Sequence, residues 1–235
     1  MAKRKSKLLG FLLLAGFILG CGGSTSERSL VEKTNKDNKR FRGVWVYKSR
    51  MPGQVEFSEG TRIDIVIDRR KFHLVAKWGA AYPAKRGQTE EWIHNGKFLW
   101  ELAPLLKQAN WLEIKGLRRG PFWKMPYQMA PFGPVKNIGE EDVAGRACKV
   151  LRTRGRYDQG DVTLTYWIDE ERSVLLKKEH LLEAGEILLV HEIYECEDIE
   201  FDPGFSAGMF EVNIPSDWVK VEKRHVDSEL LDTKF

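Results

Sequence analysis

From Phe41 onward the apolar and polar positions alternate with a period of two. Across residues 61–68, Ile63, Ile65 and Ile67 face one side, with Asp64 and Val66 opposite, which predicts a strand with one buried face. Val44 and Val46 alternate around Trp45 in the strand before it, and residues 71–77 continue as the strand after it. In residues 91–101 the pair Asn95-Gly96 separates two aromatic-rich arms and suits the positive φ angles of a tight hairpin turn. Residues 103–115 break the period. There Leu105, Leu106, Ala109 and Leu112 recur at near-helical spacing behind Pro104, which predicts a short helix. The second half predicts an antiparallel meander of four strands over 146–154, 161–168, 174–182 and 186–201, separated by turn signals such as Asp158-Gln-Gly160 and Glu183-Ala-Gly185. Residues 209–215 predict one more short strand. The fold class that follows is mostly β (α+β): one strongly twisted antiparallel sheet with one or two helices on its concave side.

The first twenty residues follow a different pattern. A basic leader over 1–7 precedes an apolar run from Leu8 to Leu19, shorter than the ~20 apolar residues a membrane helix needs. A charged start, a short apolar core and a small-residue exit mark a secretory signal peptide. The exit, Ile18-Leu19-Gly20-Cys21-Gly22, resembles a bacterial lipobox. That resemblance implies lipidation of Cys21 and cleavage before it, with 1–20 as signal peptide and 21–40 as a polar tether. The whole sequence carries 38 basic and 34 acidic residues, but four of the basic ones lie in the leader, so the remainder is formally neutral. A neutral chain lacks the basic stripe expected of a nucleic-acid binder. Eight Trp, twelve Phe and six Tyr supply the surface for a packed core.

Export places Cys148 and Cys196 where a disulfide can persist. Each lies in a predicted strand, so they stand either as a bridged pair or as two buried thiols, according to whether those strands are neighbours. No Gly-x-Ser-x-Gly, Walker loop, Cys-x-x-Cys or His-Glu-x-x-His occurs, and the carboxylate runs 140–142 and 169–171 fall in predicted turns, where solvation accounts for them. The reading is therefore not an enzyme, with no cofactor. His94 and His225 are expected at the surface. If Ala184-Gly185 forms the turn, His180 and His191 become diagonal neighbours on one face, yet no third ligand is in register, so no metal is expected. The segment 121–132, with Phe122, Trp123, Met125, Met129 and Phe132, reads either as core or as a cap or lip over an apolar ligand.

The order of these features resembles the LolA/LolB-like superfamily of lipoprotein carriers and receptors, which includes the RseB/MucB regulators. The resemblance is carried by Phe41-Arg-Gly-Val44, Ile93-His-Asn-Gly-Lys-Phe-Leu-Trp-Glu-Leu-Ala-Pro104, Val143-Ala-Gly-Arg-Ala-Cys-Lys-Val-Leu151, Thr165-Tyr-Trp-Ile-Asp169 and Phe210-Glu-Val-Asn-Ile-Pro215, and it covers roughly 41–220. It implies an unclosed antiparallel β-barrel over 41–220, followed by a charged tail over 221–235, binding lipid or lipoprotein acyl chains in a hollow lined by inward apolar residues. On the alternation above, Ile63, Ile65, Ile67, Leu74, Trp100, Leu164, Tyr166 and Ile168 are the expected lining. Arg69-Arg-Lys-Phe72 stands where the carriers have Arg-Pro-x-x-Phe, so Arg70 occupies the latch position without its Pro. The expected setting is the envelope, with the chain anchored by its N-terminal lipid, facing the periplasm at the outer membrane and taking part in lipoprotein sorting. The alternative is an RseB/MucB-like sensor that binds an envelope protein.

Overall fold

The structure, a computed structural model, describes Glu27, Ser29, Leu30 and residues 40–69, 71–113 and 133–223. Alternation becomes strands almost where the sequence places them. The first is β1, Arg40–Arg50, followed by β2, Thr61–Asp68, β3, Lys71–Lys77, β4, Thr89–His94, and β5, Phe98–Ala103. Then come β6, Gln108–Glu113, β7, Lys136–Val143, β8, Arg146–Tyr157, β9, Gly160–Asp169, β10, Val174–Ala184, β11, Ile187–Phe201, and β12, Val219–Glu222. All twelve belong to one sheet, ordered β12-β6-β5-β4-β3-β2-β1-β11-β10-β9-β8-β7. Neighbours pair antiparallel except β12, which runs parallel to β6 along the edge. The sheet is thus an unclosed barrel with β7 and β12 as its free edges. Among the described residues, no helix is long and apolar enough to cross a membrane.

Register sets which side chains meet. Ile63, Ile65 and Ile67 pair with Trp45, Gly43 and Phe41 on β1 and with Ala76, Leu74 and Phe72 on β3, so one face of three strands is continuous apolar surface. It forms the largest buried cluster, extended by Trp78, Trp92 and Leu99 and, from the other half of the sheet, by Cys148, Val150, Trp167, Leu176 and Cys196. A second cluster holds Val135, Leu151, Val162, Leu164, Tyr166, Ile168 and Leu182, with Leu30 packed against it. The lower part of β9 is therefore buried on both faces, Tyr166 in one cluster and Trp167 in the other. Gly43 lies beside the bulge at Val44/Trp45, where a Cβ would sit 2.6 Å from the Asp198 carbonyl oxygen. Only glycine lets β1 and β11 approach that closely.

Three expectations are corrected. The helix over 103–115 is not formed: Pro104–Leu106 makes one 3-10 turn, and Lys107 then adopts φ +47° and reverses the chain into β6. Ala109 and Leu112 satisfy helical spacing, but their burial comes from pairing with Leu102 and Leu99 on β5. Residues 209–215 run without strand pairing, while Val219–Glu222, straddling the expected boundary between domain and tail, is the strand. His94, expected at the surface, is fully buried and stacks on Phe72 with centroids 5.7 Å apart.

Candidate functional site

The hairpin around Asn95 organises the site. Asn95 Oδ1 accepts hydrogen bonds from the backbone N–H groups of Lys97 and Phe98 at 3.1 and 2.9 Å, and Gly96, at φ +101°, supplies the reversal. The turn therefore holds Lys97 and Phe98 at one end of β5, with Trp100 two residues on along the same face. Arg40, Asp68 and Lys71 form one rung across β1, β2 and β3 at the same end of the sheet. The chain leaving β11 passes over them as residues 205–212. Between these three groups lies an open cavity of about 780 Å³, within the usual size of a small-molecule site.

Its walls divide by chemistry. Phe98, Trp100, Phe205, Met209, Phe210 and Val212 supply apolar surface, and Trp100 and Val212 continue it into a third cluster with Ile93, Leu102, Ala109, Ile214 and Trp218. Each cation of the lining is over a ring: Arg40 lies 4.8 Å from the Phe205 centroid, Lys97 4.6 Å from Phe98, and Lys71 5.9 Å from Phe210. In each case the charged head itself lies against the ring face, a cation–π contact. Asp68 meets Arg40 at 3.8 Å, and Glu211 is the second acid of the lining. An apolar floor beneath a charged edge accommodates an amphiphile.

A second polar group is buried in the sheet. Glu192 accepts hydrogen bonds from the Tyr47 hydroxyl at 2.8 Å and from His180 Nδ1 at 2.9 Å. Tyr194 stacks on Tyr47 at 4.4 Å and pairs in register with Lys178. Burial pulls the Lys178 ammonium down to about 8 against the opposing pull of Glu192. At Glu192 burial pushes the other way, but the His180 and Tyr47 hydrogen bonds and the Lys178 charge hold its carboxyl below the ordinary value. Every member has a partner within the sheet, so this group reads as internal structure.

Of the expected lining residues, Trp100 reaches the cavity. Ile63, Ile65, Ile67 and Leu74 lie in the largest cluster and Leu164, Tyr166 and Ile168 in the second, all packed by neighbouring side chains. Cys148 and Cys196 are free thiols in the same buried cluster, pushed up to about 11 and about 12, in both cases chiefly by burial. His180 and His191 do not share a face. The turn forms at Gly185-Glu186 and not at Ala184-Gly185, and a bulge between Leu182 and Glu183 adds one residue, so His180 opposes Glu192, His191 opposes Leu181, and each imidazole is bonded to a glutamate. Among the described residues, no group of three or more His, Cys, Asp or Glu is placed to hold a metal ion. The carboxylates of 169–171 are engaged by Arg146, Asp169 and Glu171 each at 2.7 Å. Cys21, Arg70, His225 and the segment with Phe122, Trp123, Met125, Met129 and Phe132 lie outside the described residues. Sequence reasoning missed Arg40, Lys71, Lys97 and Phe205. The available signal was that two motifs of the superfamily pattern, 93–104 and 210–215, both supply the cavity wall.

No protein-family model matches the chain, and no curated protein matches it. Among solved structures, MucB aligns over 86% of this chain and 67% of its own, at 18% identity and a TM-score of 0.53. The chain has the LolA/LolB-like half-barrel fold. A chain of the MucA/MucB complex of Pseudomonas aeruginosa aligns at 19% identity over 78% of this chain and 58% of that one, with a TM-score of 0.47. The LolA superfamily protein NE2245 from Nitrosomonas europaea aligns at 10% identity over 82% of this chain and 99% of that one, with a TM-score of 0.35.

Proposed function

We propose that this LolA/LolB-like chain is an envelope lipoprotein, anchored through Cys21, that binds or transfers lipids or lipoprotein acyl chains and takes part in lipoprotein sorting. The observation that carries the reading is the cavity of about 780 Å³, whose aromatic floor around Trp100 continues into a buried apolar cluster while Arg40, Lys71 and Lys97 edge it with charge. Burying an acyl chain on such a floor is favoured by about 25 cal/mol per Å² of apolar surface, before the cost of ordering the chain. The arrangement offers recognition by burial and no paired acid and base around a reacting centre, so the proposal is a binding protein and not an enzyme.

A second reading has its own support. Ile63, Ile65, Ile67, Leu74, Leu164, Tyr166 and Ile168 are all at most 4% exposed, which leaves little of their surface for an acyl cargo. That favours a sensor or regulator that binds an envelope protein. Native mass spectrometry of the purified chain, followed by solvent extraction, separates the two. Phospholipid or acylated peptide released at near one per chain supports the carrier. A chain that stays free of lipid when phospholipid and lipopeptide are supplied supports the protein-binding reading.

A further inference from the structure

Five charged residues line the cavity beneath the 205–212 segment: Arg40, Asp68, Lys71, Lys97 and Glu211. Ion pairs account for three of them, since Arg40 meets Asp68 at 3.8 Å and Lys97 meets Glu113, beyond the lining, at 3.7 Å. Among the described residues, Lys71 and Glu211 form no ion pair, either with each other or with a neighbour, although both are exposed at the same opening. Each is nevertheless placed by the fold. The Lys71 stem lies along the Asn95-Gly96 turn, where a Cβ at Gly96 would sit 3.8 Å from Lys71 Cε, and its ammonium is 5.9 Å from the Phe210 centroid. Glu211 ends two consecutive turns, in which the Met209 N–H donates to the Ser206 carbonyl at 3.2 Å and the Glu211 N–H to the Gly208 carbonyl at 2.9 Å. Its carboxylate folds back over the second turn, so that a Cβ at Gly208 would sit 3.7 Å from Oε2. The opening therefore presents one uncompensated cation and one uncompensated anion, with Phe210 under the first and next in sequence to the second.

We propose that the amphiphile held in this cavity has a zwitterionic headgroup bearing a primary ammonium, of the phosphatidylethanolamine class. The inference rests on the amphiphile reading of the cavity and names its headgroup. A phosphodiester offers a negative charge and acceptor oxygens, which the Lys71 ammonium meets with its N–H donors. A primary ammonium offers N–H donors of its own, and an ionised carboxylate is the side chain that accepts them with charge assistance, so Glu211 is its counterpart. An anionic headgroup without an amine would satisfy Lys71 and leave Glu211 facing like charge. A quaternary ammonium has no N–H for Glu211 and is recognised on aromatic faces instead. Here Phe98, Phe205 and Phe210 each already carry a cation of the chain, Lys97, Arg40 and Lys71. The acyl chains then lie on Trp100 and Val212, which continue from the lining into the third apolar cluster.

The test is isothermal titration of the full chain with dihexanoyl phosphatidylethanolamine, phosphatidylcholine and phosphatidylglycerol, each kept monomeric. Phosphatidylethanolamine is expected to bind about tenfold tighter than either of the others, the worth of one hydrogen bond to a charged group. Glu211→Gln should remove that preference, and Lys71→Gln should weaken all three lipids, because all three carry the phosphate. Both positions are exposed, so both variants are expected to keep the fold, which circular dichroism checks. Equal affinity for the three lipids, lost together in Trp100→Asp, overturns the headgroup assignment and leaves the amphiphile reading standing. A preference for phosphatidylethanolamine that survives Glu211→Gln overturns the assignment as well, and so does tighter binding of phosphatidylglycerol, which would mark a purely cationic site. Binding of none of the three lipids overturns the amphiphile reading and this inference with it.

Discussion

Replacing Glu192 by Gln keeps most of the hydrogen-bonding shape beside Tyr47 and His180 but removes the charge that balances Lys178. The Lys178 ammonium is already depressed from 10.5 to about 8, which corresponds to about 3 kcal/mol of unfavourable burial. Without Glu192 the favourable Coulombic pull on that charge is lost, and removing the partner of a buried charge costs up to about 3–5 kcal/mol. Lys178→Met in the same chain removes the stranded ammonium and should restore at least about 2 kcal/mol, since replacing both partners of a buried pair is far milder than removing one. The assay is urea unfolding followed by Trp fluorescence at pH 7. The sign with pH follows from linkage. A lysine with a lowered folded pKa binds fewer protons folded than unfolded, so its penalty is fully present below pH 8 and is relieved as pH rises towards 10.5. Without Glu192 the folded value falls below about 8, so the rescue by Lys178→Met should already shrink below pH 8 and vanish towards 10.5. Additive single-variant costs, or a rescue that does not depend on pH, would refute the electrostatic coupling.

Cys148 and Cys196 titrate in the opposite sense. Their folded values, about 11 and about 12 against 9, give stability that is present below pH 9 and lost as pH rises towards those values. The thermal midpoint of the reduced chain should fall from pH 9, and that of Cys148→Ala/Cys196→Ala should hold to pH 10, where the buried tyrosines begin to contribute. If the two cysteines instead bridge in the envelope, intact mass after alkylation under denaturing, non-reducing conditions will show two fewer adducts on these residues. Gly79→Ala places a Cβ 2.3 Å from the Gly60 carbonyl oxygen, where backbone must shift, and is expected to cost about 1–3 kcal/mol in urea unfolding. Leu164→Glu buries an unpaired carboxylate at a fully enclosed position and should cost more than about 4 kcal/mol, unfolding the chain before any effect on loading can be read, as circular dichroism would show.

Period-two alternation made the sheet legible, because burial of one face is a direct consequence of it; β2 and β3 fall on the bounds the pattern predicts. The error at residues 103–115 has the same root. Leu105, Leu106, Ala109 and Leu112 satisfy helical spacing as a set, but the first two are exposed on a turn and the last two belong to a strand, a division that appears only when β5 is there to pair with. Hairpin register failed at Leu182, where a bulge adds one residue that no composition signal marks, and that one residue moves His180 and His191 to opposite faces. The cavity was only partly legible. Alternation identifies Ile65 and Leu164 as inward, but inward residues of a hollow and of a packed core look alike in sequence. Trp100 reaches the cavity through the hairpin, and Arg40, Lys71 and Lys97 are brought to it from strand ends far apart in the chain, which topology alone assembles.

The most direct test of the central claim is photocrosslinking of the purified full chain with a diazirine-bearing phospholipid and peptide mapping of the adducts by mass spectrometry. Amphiphile binding at the cavity predicts adducts on Phe98, Trp100 and the 205–212 segment, lost in Trp100→Asp while the fold, read by circular dichroism, is retained. Adducts absent from these residues, or unaltered by Trp100→Asp, would contradict it.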